Sequence, residues 1–173
     1  MKKIHTGLYL VLLMIVGCAG PKQDGLVYFN DFESVKGWAP IYLSRWPVHS
    51  GRLSNKLDSN HAYGLSFWLP FSQVSPKKLK AVKISAWVYL TVRCDAFLAM
   101  EIKTPDNKSL VWNGVNVDEQ VKEVGKWQQV TAMFSLRNKD FNVPDNFINI
   151  YTWDKGKKDV YIDDLSIEFI EEQ

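Results

Sequence analysis

Lys80-Ala81-Val82-Lys83-Ile84-Ser85-Ala86-Trp87-Val88-Tyr89-Leu90 decides the fold class. Val82, Ile84, Ala86, Val88 and Leu90 share one parity, and Lys83, Ser85, Trp87 and Tyr89 share the other. A period of two means a strand with one face in a core and one face outside it. The next segment repeats the pattern. Over 94–102 the even residues are apolar or carry sulfur, and Asp95, Phe97 and Glu101 oppose them.

The same reading extends in both directions. In 62–71, Tyr63, Leu65, Phe67, Leu69 and Phe71 share a face, with Trp68 on the other. In 127–136, Val130, Ala132, Phe134 and Leu136 oppose Gln129, Thr131 and Met133. In 146–153, Ile148 and Ile150 oppose Asn149, Tyr151 and Trp153. In 161–169, Leu165, Ile167 and Phe169 face inward with Asp163 in phase. Further strands are predicted over 26–33, 39–46 and 109–113, and the last over 159–170. Turn signals separate them at Ser50-Gly51, Pro76, Pro105-Asp106-Asn107, Asn113-Gly114, Gly125, Pro144-Asp145-Asn146 and Lys155-Gly156. No stretch keeps a helical period for long. Many short strands at this spacing predict an all-β fold, an antiparallel β-sandwich.

The N-terminal residues differ from this pattern. Lys2 and Lys3 precede an apolar run from Leu8 to Val16, which is too short to cross a bilayer core of about 20 apolar residues. A charged start, a short apolar centre and a small residue at the cut describe an export signal. Ile15-Val16-Gly17-Cys18 resembles the lipobox of bacterial lipoproteins. That resemblance implies cleavage before Cys18, lipid on its thiol, and a membrane anchor of several acyl chains. The expected layout is a signal over 1–17, a lipidated N-terminus and tether over 18–25, and one domain over 26–173. Ala19 follows the cysteine in place of the Asp that marks inner-membrane retention, so the expected address is the outer membrane.

The charge balance excludes one class of partner. Removing Lys2 and Lys3 with the signal lowers Lys+Arg from 21 to 19, which equals Asp+Glu 19. A neutral domain has no electrostatic footprint for nucleic acid. The clusters Lys77-Lys78-Leu79-Lys80 and Lys155-Gly156-Lys157-Lys158 read as solvated turns. With Cys18 lipidated, Cys94 has no intrachain partner and reads as a buried free thiol.

Four segments carry a second resemblance. They are Asn30-Asp31-Phe32-Glu33 with Gly37-Trp38, His49-Ser50-Gly51-Arg52-Leu53-Ser54, Gly125-Lys126-Trp127-Gln128-Gln129-Val130, and Val160-Tyr161-Ile162-Asp163-Asp164-Leu165-Ser166-Ile167. In this order the chain resembles the jelly-roll domains of carbohydrate-binding modules and the galactose-binding-like fold. Together with the lipobox it resembles small lipoproteins of the Bacteroidetes. The resemblance implies two packed antiparallel sheets with the first and last strands adjacent. It also implies a structural calcium, for which the matching residues are Asp31, Glu33, Asp163 and Asp164. A backbone carbonyl from His49 to Ser54 would complete the set. Calcium takes several hard oxygens, and a core-phase Asp163 would be costly without a partner. The competing account is that the four acids accept backbone hydrogen bonds at strand ends.

Trp87, Tyr89, Phe97, Tyr151 and Trp153 all oppose the inferred core face, with Lys83, Glu101, Gln129 and Asn149 among them. Trp46, Tyr63 and Trp112 are expected near loops. Rings flanked by amides and charges suit a sugar, which has flat C–H faces ringed by hydroxyls. The same rings also suit sheet cover or plugs at the sandwich ends.

Catalytic signals are sparse. After the signal only His49 and His61 remain, and no Gly-x-Ser-x-Gly, His-Glu-x-x-His or phosphate-binding loop occurs. Glu101 alone makes a poor two-carboxylate pair. The expectation is therefore a non-enzymatic glycan binder. An assembly subunit of an envelope protein complex is the rival, and a small polysaccharide hydrolase or lyase comes third.

Overall fold

A computed structural model describes residues 26–34, 38, 42–138 and 140–172. The signal, Cys18 and the tether lie outside them. Among the described residues, no helix is long and apolar enough to cross a membrane.

Among the described residues, ten strands form two antiparallel sheets in a jelly-roll sandwich. The strands are β1 (Val27–Asn30), β2 (Leu43–Ser44), β3 (Ser54–Leu57), β4 (Tyr63–Pro70), β5 (Leu79–Leu90), β6 (Ala96–Lys103), β7 (Ser109–Asn116), β8 (Trp127–Ser135), β9 (Phe147–Asp154) and β10 (Val160–Glu171). One helical turn, α1 (Phe71–Val74), joins β4 to β5. The six-stranded sheet runs β2-β3-β10-β5-β8, and β1 also pairs with β10. The four-stranded sheet runs β4-β9-β6-β7. β1 meets β10 from Val27↔Glu168 to Asn30↔Leu165, so the first and last strands are neighbours as expected.

The core lies between the sheets. The inward sets of β5 and β8 are buried as their alternation predicts, with Val82, Ile84, Ala86, Val88 and Leu90 facing Leu98, Met100, Ile102, Ile148 and Ile150 within one cluster. Such burial contributes roughly 1.5–3 kcal/mol per large aliphatic side chain.

Four local expectations are corrected. β3 was not anticipated, because Ser54-Asn55-Lys56-Leu57 has no β-branched residue. Asn113-Gly114 is not a turn but lies inside β7, where Gly114 pairs with Ala99. Only Leu43–Ser44 of the strand expected over 39–46 is extended; residues 39–41 lie outside the described set. Cys94 is free, but half-buried rather than buried. Burial, reinforced by Asp154, Asp118 and Asp95, pushes its thiol up to about 12, so it stays protonated.

Two bulges matter more, because each reverses a side chain's face. In β4 the register shifts between Tyr63↔Trp153 and Ser66↔Tyr151. One extra residue places Tyr63 outside, while Gly64 and Leu65 are both buried. A Cβ at Gly64 would run into Asn55 Oδ1 and Thr152 Oγ1. In β10 the register shifts between Asp163↔Trp87 and Ser166↔Ser85, and Asp164 takes a positive φ of 46°. Asp163 therefore shares the outer face with Trp87. The expected phase with Leu165, Ile167 and Phe169 is broken by the bulge.

Candidate functional site

The expected single aromatic face divides into two, because alternation distinguishes inside from outside but does not say which sheet a strand joins. Trp87 and Tyr89 lie on the outer face of the six-stranded sheet. Phe97, Trp112, Tyr151 and Trp153 lie on the outer face of the other, joined by Tyr63. Trp46 belongs to neither group; it stands in the loop after β2 and is 76% exposed.

On the outer face of the six-stranded sheet the segment 49–53 covers Trp87, while Met133 on the same face stays exposed. The His49 ring stacks on Trp87 at 3.8 Å and 14°, with its edge toward Trp127 at 5.8 Å. Tyr89 packs against Trp127 at 5.6 Å and Tyr161 at 6.1 Å. Acids from two strands hold this cover down. Asp163 is fully buried, and its Oδ2 accepts the amides of His49 at 2.8 Å and Ser50 at 3.2 Å. Its Oδ1 accepts the amide of Asp164 at 2.8 Å. Burial pushes the Asp163 carboxyl up, against the pull of those three donors. Asp164 receives His49 Nδ1 at 2.7 Å and Ser50 Oγ at 2.9 Å. From β1's end, Glu33 Oε1 accepts the amides of Arg52 at 2.6 Å and Leu53 at 2.7 Å. The Arg52 amide holds the Glu33 carboxyl below its ordinary value.

These contacts bear on calcium. Asp31 Oδ1 accepts the Glu33 amide at 3.1 Å, so all four expected ligands are engaged with hydrogen-bond donors. No group of three or more His, Cys, Asp or Glu side chains able to hold a metal occurs among the described residues. As placed, the four acids do not fit a shared ion. Glu33, Asp163 and Asp164 grip one loop instead, and Asp31 holds the Glu33 amide. Ser50, His49 and Asp164 do not form a nucleophilic triad either, because the hydroxyl and the imidazole both go to the carboxylate.

The outer face of the four-stranded sheet is open. Trp153 lies near-parallel to Tyr63 (6.1 Å between centroids, 6°) and to Phe97 (5.6 Å, 28°), with Trp112 edge-on at 6.1 Å. Trp112 Nε1 donates to the Tyr151 hydroxyl at 2.8 Å. Gly114 makes this geometry possible: a Cβ there would come within 2.6 Å of the Trp112 ring. Burial raises the Tyr151 phenol, which Trp112 partly offsets and Glu101 reinforces, so it stays a hydroxyl at neutral pH. Beside the rings runs a groove of about 400 Å³ lined by Tyr63, Gly64, Ser66, Glu101, Asn149 and Tyr151. Ser66 Oγ donates to Asn149 Oδ1 at 2.8 Å, which orients that amide. Lys103 Nζ lies 3.4 Å from Glu101 Oε2. The groove thus offers flat apolar faces, a hydroxyl, an amide and a carboxylate within one concavity. Such a set can stack on and hydrogen-bond a neutral, hydroxyl-rich ligand.

Sequence reasoning passed over Ser66, Trp68 and Phe147 on this face. Phe147 shares the parity of Asn149, Tyr151 and Trp153, so the β9 alternation contained that signal.

The architecture is shared with carbohydrate-binding modules of the β-sandwich class. Among solved structures, the C-terminal family 22 carbohydrate binding module of Clostridium thermocellum Xyn10B matches with a TM-score of 0.54 at 16% identity, over 86% of this chain and 97% of that one. The CBM22-1 xylan-binding domain of Paenibacillus barcinonensis Xyn10C matches with a TM-score of 0.51 at 14% identity, over 86% and 96%. The tandem CBM22-1-CBM22-2 structure from the same protein matches with a TM-score of 0.54 at 15% identity, over 82% of this chain and 44% of that one. At these identities the likeness is one of fold. No protein-family model and no curated protein sequence matches the chain.

Proposed function

We propose that the chain is a non-catalytic, lipid-anchored glycan-binding protein of the cell envelope, whose domain takes polysaccharide on the outer face of the four-stranded sheet. The observation that carries this reading is the open groove in which Tyr63 and Tyr151 stand beside Glu101, Asn149 and Ser66, with Trp153 stacked on Tyr63 at its side. Its likeness in fold to xylan-binding domains makes xylan the first ligand to try. Glu101 is the only acid among the groove's lining residues, whereas glycoside hydrolysis by the common routes needs two carboxyls flanking the bond. Cys18, outside the described residues, carries the lipid anchor in this reading, and the outer membrane is its address.

The test uses the detergent-solubilised full-length chain on a panel of immobilised polysaccharides that includes xylan. Retention without release of reducing ends is the expected result. A folded sample that binds no polysaccharide but co-purifies with one stoichiometric envelope protein would replace this reading with an assembly role. Cys18→Ser should move the protein from the membrane fraction to the soluble fraction.

A further inference from the structure

Trp68 is 58% exposed, and nothing in the groove just described uses it. Its ring stacks on Phe147 at 4.4 Å and 18°, so one face is fixed against the sheet and the ring is pre-oriented. Trp68 pairs across the ladder with Asn149, and its strand neighbour two positions back is Ser66. Both of those line the groove. The polar floor of the groove therefore runs directly into the Trp68–Phe147 pair. At the opposite end of β9 stands Trp153, between Tyr63 and Phe97. From Trp153 to Asn149, the residue Trp68 pairs with, the strand advances four residues, or roughly 13 Å at ~3.3 Å per residue.

We infer that Trp68, backed by Phe147, is a distal stacking subsite for a linear polysaccharide that lies lengthwise along β4 and β9. This inference rests on the groove reading above and extends it. Along the line, Trp153 stands with Tyr63 and Phe97, and the next outward rung joins Tyr151 to Ser66. The one after sets Asn149 between Trp68 and Glu101, and Phe147 follows beside Lys103, so Trp68 flanks the far end of the polar belt. A sugar chain presents the same kinds of group, C–H faces interspersed with hydroxyls, over a span of several rings. An apolar protein partner would favour a contiguous hydrophobic patch, and the Glu101–Lys103 pair interrupts any such patch here.

The pre-orientation has an energetic consequence. A ring already held against Phe147 loses little rotamer freedom on binding, so most of its stacking appears as affinity. The gain should be seen only by ligands long enough to reach it.

The test is calorimetric titration of the full-length chain with xylo-oligosaccharides from disaccharide to hexasaccharide, for the parent, Trp68→Ala and Trp68→Phe, each checked by thermal melt. The parent should tighten with length. Trp68→Ala should keep the parent's disaccharide affinity and lose roughly tenfold on the hexasaccharide. Trp68→Phe should recover part of that loss. A Trp68→Ala protein equal to the parent on the hexasaccharide, or weakened equally at every length, would overturn the subsite while leaving the groove in place. A parent that gains nothing with length would do the same. A parent that binds no oligosaccharide of the series and no polysaccharide of the panel would remove the groove reading and this subsite with it.

Discussion

The two outer faces of the sandwich are built from similar residues and end in different states. Each carries tryptophan and tyrosine at alternating positions of its central strands. On the six-stranded sheet, Trp87 lies under the His49 ring, and three acids clamp the covering segment. On the four-stranded sheet, Tyr63, Trp112 and Trp153 meet solvent beside a groove. An outward aromatic is therefore not by itself a binding residue. What decides is whether a neighbouring loop has hydrogen-bonding anchors that hold it over the ring.

The strongest way to break this contrast is to truncate one ring on each face. Trp87→Ala removes the surface on which His49 packs and should lower stability by about 3 kcal/mol, read by denaturant unfolding, with retention on polysaccharide unchanged. Trp153→Ala should reverse the pattern, losing retention while stability falls by less than about 1 kcal/mol, since no hydrogen-bonded segment is packed over its ring. Equal losses of binding in both variants would mean that the covered face also meets ligand.

A smaller effect is expected from the clamp. Asp163→Ala leaves the amides of His49, Ser50 and Asp164 without their acceptor, which should cost about 2 kcal/mol in a thermal melt. The loss is moderated because the variant also removes a carboxylate that burial disfavours. Asp163→Asn, which keeps one acceptor oxygen, should fall between.

The smallest effect is the most discriminating for the acids. A shared calcium at a hundred times its dissociation constant would add ~2.7 kcal/mol to stability. Because Asp31, Glu33, Asp163 and Asp164 already hold hydrogen-bond donors, melts in calcium and in chelator should superimpose. A melting shift on the order of 5–10 °C would show instead that the loop re-forms around an ion.

The sheets were legible where strands are regular. β8, β9 and β5 from Val82 onward follow the period of two, and their buried sets match it. The reading failed where one residue was added. The bulge at Gly64 turns Tyr63 outward, and the bulge at Asp164 takes Asp163 out of phase with the core. Neither leaves a local sequence mark strong enough to act on; Gly64 and the Asp163-Asp164 pair are suggestive only once the register is seen. The division of Trp87 from Trp153 was illegible for a different reason. Sheet membership is set by long-range pairing, and no single strand encodes it. Nor does a sequence show that Trp112 lies across Gly114.

The place of β10 has a consequence for the order in which the molecule can form. Its residues 160–171 sit between β5 on one edge and β3 and β1 on the other. Until they arrive, the six-stranded sheet is two unconnected pieces, β5 with β8 and β2 with β3, while β1 has no strand partner among the described residues. Segments made early must wait for one made late, and such non-local closure is slow. In a chain of this topology emerging vectorially, whether from a ribosome or through a membrane, the six-stranded sheet is completed only once that strand is through.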